Sequence, residues 1–274
     1  MKNKTFCICI CILCFLQTAF AELQSCDVLE AALSQLPENH TLIRLYNEKT
    51  DSLLTAQYKG GVPYYFAGVN ENLILRQRYP QQESAFYKAD RMYFYGFDCK
   101  GYTRWAYRMQ GLPEHPPLAT IFSNPNCLQI GDMKPTEYKN ILQVGDLFII
   151  RKGTHHVMMY IGTLRDYGLT EHAQMQAFLD YPLVIHCGNN PFYHDWYLNY
   201  IHENKLKTFP PDGGVTVSLL YVEDTSTANV RKDVFGRDFY YFLLENSIIS
   251  LINLKPVTMA TWWRGTEPIP YSIY

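Results

Sequence analysis

Apolar positions recur at helical spacing just after residue 98. Tyr102, Trp105, Ala106 and Met109 fall at i, i+3, i+4 and i+7, which predicts one buried stripe of an α-helix. Asp98 is a good N-cap for it, and Gly111 followed by Pro113 a good stop. Upstream, "DVLEAALSQL" (27–36) has amphipathic helical spacing ended by Pro37, while "TLIRLY" and "SLLTAQY" fit a helix pair or a strand pair. Residues 22–58 thus read as a small N-terminal element, "KGGVPYYFAG" (59–68) as loop leading into structure, and 69–93 as an aperiodic insertion.

The pattern changes after a proline-rich loop from "GLPEHPP" to "SNPNC". "GDLFII" (145–150) and "HVMMYIG" (156–162) are short apolar runs across a tight connection, which predicts an antiparallel hairpin. "TEHAQMQAFLDY" (170–181) reads as a helical excursion and "PLVIHCG" (182–188) as a further strand. Beyond "FPPDGG", the runs "VTVSLLYV", "FYYFLL" and "SIISLINLKPV" are strand-like. Helices first and strands later predict an α+β fold on an antiparallel sheet.

The start of the chain bears on compartment. Lys2 and Lys4 precede an apolar run over 6–16, then small residues at Ala19 and Ala21: the layout of a secretory signal peptide, residues 1–21. The run is shorter than the roughly 20 residues of a spanning helix, so no stable membrane insertion is expected. The alternative is lipid attachment at Cys26, since "LQSC" loosely resembles such a site. The expected location is therefore the periplasm, cell envelope or exterior. Without the leader, 22 basic groups face 26 acidic ones, with no basic stripe, and no nucleic-acid partner is expected. Aromatics make up 15% of the chain, including 22 tyrosines, which suits β-rich packing or a groove for sugar or peptide.

Four cysteines follow the leader: Cys26, Cys99, Cys127 and Cys187. In an exported chain a disulfide is the first alternative for any of them. Cys99 differs in sitting at the first turn of the predicted helix. There the helix dipole and unpaired N–H groups favour a thiolate, and the same groups can receive an oxyanion. A cysteine nucleophile also needs a histidine base and a third group to orient it. Of eight histidines, His156 opens an apolar strand and His186 lies within one, where a lone imidazole is costly without a partner. Metal-ligand spacing is absent, and no metal or cofactor is expected.

At these residues the sequence resembles a known family. "GFDCKGYTRWAYRMQG" is similar to the nucleophile motif of the NlpC-type, papain-like cysteine peptidases that trim bacterial peptidoglycan, and "GDLFIIRKGTHHVMMYIG" to that family's histidine motif. "GVPYYFAG" resembles the aromatic segment preceding the nucleophile. The resemblance implies a papain-like fold spanning residues 59–274, with insertions near 69–93 and 164–182 and a strand-rich C-terminal extension. It implies Cys99 as nucleophile, His156 as base, His186 as the orienting group, Tyr64 beside the nucleophile and Asp98 in the motif. His172 and His194 are the alternatives to His186, and His155 competes with His156. Lys100 and Tyr102 depart from the family's usual serine and leucine. Cys187 is expected as a buried thiol and Cys26 with Cys127 as the bridge. The implied activity is cleavage of peptidoglycan stem peptides or muropeptides at the γ-D-glutamyl–diamino acid bond. The alternatives are another acyl transfer by the same triad, on a protein substrate or as a deamidase or transpeptidase, and a silent peptidoglycan-binding module.

Overall fold

Residues 27–78, 87–115, 118, 127–129, 134–150, 156–253 and 258–260 are described by the computed structural model. The leader, His155 and Cys26, and with Cys26 the expected bridge to Cys127, lie outside the described residues. Helix α1 (Asp27–Leu33) is followed by α2 (Thr41–Thr50), capped by His40, whose Nδ1 accepts the Leu42 N–H. "TLIRLY" is thus helical, whereas "SLLTAQY" has no regular structure. A two-stranded antiparallel pair, β1 (Leu75–Gln77) and β2 (Met92–Phe94), lies in the aperiodic segment. Helix α3 (Cys99–Met109) forms where the apolar stripe predicts it.

The remaining strands are β3 (Cys127–Gln129), β4 (Leu147–Ile150), β5 (His156–Gly162), β6 (Leu183–Asn189), β7 (Gly213–Leu220), β8 (Asn229–Lys232), β9 (Asp238–Leu244), β10 (Ser247–Ile252) and β11 (Thr258–Ala260). They form a nine-stranded sheet in the order β3-β11-β4-β5-β6-β7-β10-β9-β8. The β4–β5 hairpin is antiparallel as expected. The sheet is antiparallel as expected except at one pair: β10 lies parallel to β7, because the β8–β9–β10 meander runs from the sheet edge back to β7. Two further differences concern helices. The excursion at 170–181 holds only a 3-10 turn, Ala173–Phe178. Helix α4 (Pro191–Glu203) was not legible as a stripe. Its marks are the Asn190 cap, Pro191 in the first turn and the buried Tyr193, Tyr197 and Ile201 four residues apart.

Alternation along the strands divides the core. Leu147, Ile149, Val157, Met159, Ile161, Ile185, Val215 and Val217 face α1–α3. Phe148, Ile150, Met158, Tyr160 and Val184 face the other way, against Tyr138 and Leu142. Helix α3 is fastened at both ends. The Tyr102 hydroxyl donates to the Ala32 carbonyl of α1 at 2.9 Å, and the Tyr107 hydroxyl to the Gly145 carbonyl at 2.7 Å. The tyrosine at 102 therefore reaches a neighbour that leucine could not hydrogen-bond.

The start of α3 is stitched to the aromatic loop before it. Phe97 N–H donates to the Pro63 carbonyl, Tyr65 N–H to the Phe97 carbonyl, and Asp98 N–H to the Gly68 carbonyl. The approach is so close that a Cβ on Gly101 would lie 1.9 Å from the Gly68 oxygen. Neither backbone can yield without moving the helix start. Gly101→Ala is expected to cost about 1–3 kcal/mol, read as a lower urea midpoint. An unchanged midpoint would contradict this contact.

Candidate active site

Asp98 sets the position of Cys99. With extended backbone at φ −93°, its Oδ1 accepts the Gly101 N–H at 2.6 Å, as an N-cap does. Its carboxyl lies above the usual range because burial disfavours the charge, although the Gly101 N–H, Lys100 ammonium and Ala67 N–H oppose this. Cys99 is a free, partly buried thiol. Its sulfur is approached by the N–H groups of Val157, Lys100 and Cys99 itself. The Val157 contact brings the thiol to the start of β5, one residue from His156.

His156 and His186 meet edge to face, with Nε2 of the first 3.0 Å from Nδ1 of the second. They come from β5 and β6, the third and fourth strands after α3 in sequence, which pair with each other in the sheet. His186 continues to Ser218 on β7, its Nε2 lying 2.8 Å from the hydroxyl. Gly188 makes room for the pair: a Cβ there would lie 2.8 Å from His186 Nδ1 and 3.6 Å from His156 Cε1. His172 stands before the 3-10 turn of residues 173–178 and His194 lies on α4 beside Asp195, so neither is the partner of His156.

Tyr64 lies in the loop against the helix start, its N–H donating to the Gly213 carbonyl at 2.7 Å. Its phenol is pushed well up, first by burial and then by the nearby Cys99 thiol. Tyr64 also lines a small aromatic cleft with Tyr87, Tyr93, Phe94, Pro210, Pro211 and Asp212. Cys187 is a buried free thiol whose Sγ is 3.3 Å from the Phe97 carbonyl, so it packs beneath the segment that leads to Cys99. Among the described residues, no group of three or more His, Cys, Asp and Glu could hold a metal ion.

The electrostatics overturn one sequence expectation. The helix dipole alone predicts a depressed pKa for a cysteine at this position. Here burial dominates and, with the Asp98 carboxylate, pushes the thiol up to about 11, against the three N–H donors. Burial likewise lowers His156 to about 4, and burial with the neighbouring His156 holds His186 well below the usual imidazole range. At neutral pH the thiol and both imidazoles are uncharged. Ser218, the hydrogen-bond partner of His186, does not stand out in the sequence. Its signal was a hydroxyl inside the apolar run "VTVSLLYV".

Buried neutral histidines make stability depend on pH. His40 is lowered by burial to about 3, and His156 to about 4. These groups bind protons near pH 6.5 in the unfolded chain but not in the fold, so stability is complete above that value and is lost as pH falls toward 4. Asp212, raised to about 6 by burial and Asp233, works in the opposite direction. His40→Asn keeps a capping acceptor and removes one of these protons. Between pH 7.5 and 5 the wild type is expected to lose about 2 kcal/mol more than this variant in chemical denaturation. Parallel losses would contradict a neutral His40.

Comparison with curated proteins and with solved structures finds no match. The NlpC/P60 family matches residues 61–200, from the aromatic loop through most of α4 and just over half of the chain. The match takes in the Cys99 helix, the β4–β5 hairpin and His186, and leaves β7–β11 outside. This match places the chain in the NlpC/P60 family, whose members are generally papain-like cysteine hydrolases that act on peptidoglycan-derived substrates.

Proposed function

We propose that the protein is an exported cysteine endopeptidase that cuts peptidoglycan stem peptides at the γ-D-glutamyl–diamino acid bond. The observation that carries the reading is the Cys99 thiol beside the start of β5 together with the His156–His186 contact. The leader-like residues 1–21 support export, and among the described residues no helix is long and apolar enough to cross a membrane.

In the first half-reaction Cys99 Sγ attacks the amide carbon as its proton passes to His156. The oxyanion that forms lies near the N–H groups at the start of α3, with the Tyr64 hydroxyl in the same surroundings. Collapse of the intermediate breaks the C–N bond, and His156 returns the proton to the leaving amine. A thioester remains on Cys99. His156 then takes a proton from water as the water oxygen attacks the thioester carbon. Collapse releases a carboxylic acid and restores the thiol. His186 holds the His156 ring in place and accompanies its charge.

A resting neutral pair suits this order. The proton leaves sulfur only as the carbon is attacked, so thiolate need not persist between turnovers. The departures at Lys100 and Tyr102 leave the pattern of nucleophile and bases intact.

Digestion of purified peptidoglycan and of soluble muropeptides by the mature protein, beside Cys99→Ala, tests the proposal by mass spectrometry of the products. New fragments ending in γ-D-glutamate, absent with the variant, are the expected result. Binding of either substrate by both proteins, without cleavage by the wild type, would sink the peptidase reading and favour the binding module.

A further inference from the structure

The hydrogen-bond chain does not stop at the histidines, and its far end decides which nitrogen of His156 is the base. Ser250 on β10 donates its hydroxyl proton to the Val217 carbonyl at 3.2 Å. A carbonyl only accepts, so in this bond the proton comes from Ser250. The hydroxyls of Ser218 and Ser250 are hydrogen-bonded to each other, and the two residues are direct register partners in the parallel β7–β10 pair. All of these bonds form together only if Ser218 is the donor between the two hydroxyls. Ser218 has then spent its own proton, and its oxygen accepts from His186 Nε2.

The direction runs on through the rings. A neutral imidazole protonated at Nε2 accepts at Nδ1. The 3.0 Å contact therefore takes its proton from His156 Nε2. His156, also neutral, is left with its lone pair on Nδ1, the nitrogen that His186 does not occupy. Every member of the chain is buried apart from His156, which is half-buried at its strand end. Water is thereby kept from supplying other partners to the two serines.

We infer that Ser218 and Ser250 are positioning residues that fix His186 and His156 as Nε2–H tautomers, so that His156 Nδ1 is the nitrogen that receives the Cys99 proton. Both serines lie beyond the residues matched by the family, on β7 and β10. The parallel pairing of those strands gives the C-terminal strands a part in the chemistry, since it alone brings Ser250 to Ser218. The inference rests on the reading of Cys99 and His156 as nucleophile and base.

The test combines a spectrum with kinetics. In uniformly 15N-labelled wild type at neutral pH, long-range proton–nitrogen correlations are expected to show protons on Nε2 of both His156 and His186. In Ser218→Ala, His186 loses its acceptor, and a proton is expected to appear on Nδ1 of His156. The kcat for muropeptide cleavage should fall on the order of 100-fold, with KM within about twofold. Ser250→Ala leaves the Ser218 hydroxyl present but able to turn, and should lose about tenfold, midway between the two. Ser218→Thr keeps the hydroxyl and should restore the wild-type tautomer.

A proton on Nδ1 of His156 in the wild type would overturn the inference, and so would wild-type spectra and kcat in Ser218→Ala. The wild-type spectrum needs no variant to fold. It also separates this inference from the peptidase reading: if the wild type cleaves no muropeptide, that reading fails while the spectrum still reports the relay.

Discussion

The buried contact between His156 and His186 is the constraint on which the rest of the site depends. Two imidazoles packed edge to face, one buried and one half-buried, are tolerable only if both are neutral and the two facing nitrogens share one proton. Three features of the fold follow that requirement. Strands β5 and β6 must be adjacent, Gly188 must lack a side chain, and β7 must offer a hydroxyl at Ser218. Cys99 is carried toward this pair by α3, which brings its thiol to the start of β5.

Two effects compete at the thiol, and magnitude decides between them. A helix N-terminus contributes about 0.3–1 kcal/mol toward a nearby negative charge. Removing a thiolate from water opposes it by more, and the carboxylate of Asp98 adds repulsion, so the net displacement is upward to about 11. In the proposed mechanism the helix start thus positions sulfur and receives an oxyanion; it does not store a thiolate. In the proposed reaction, proton transfer to a neutral imidazole then becomes part of the attack itself. The tight packing of the Gly68 carbonyl on Gly101 serves the same end, since it fixes the origin of α3 to within the tolerance such a transfer needs.

Much of this was legible in the chain. Helix α3, its Asp98 cap and the β4–β5 hairpin carry strong local periodicity, because each buries one face against a continuous core. Cys99, His156 and His186 could be singled out because a nucleophile at a helix start and imidazoles in apolar strands are chemically conspicuous. What could not be read depends on pairing between distant strands. Nothing in "SIISLI" says that Ser250 will lie beside Ser218, or that β10 will run parallel to β7. Helix α4 escaped notice because its aromatic residues surround it and blur the stripe. The neutral thiol was missed for a different reason: burial is a property of the folded surroundings, and local sequence reports only the helix end.

The most direct measurement is the ultraviolet thiolate absorbance of the protein against pH, with the curve of Cys99→Ala subtracted. A neutral thiol beside a neutral imidazole predicts that the Cys99 signal emerges only in the alkaline range, toward the value of about 11. A thiolate step below about pH 7 would mean that Cys99 and His156 rest as an ion pair, and would contradict the account.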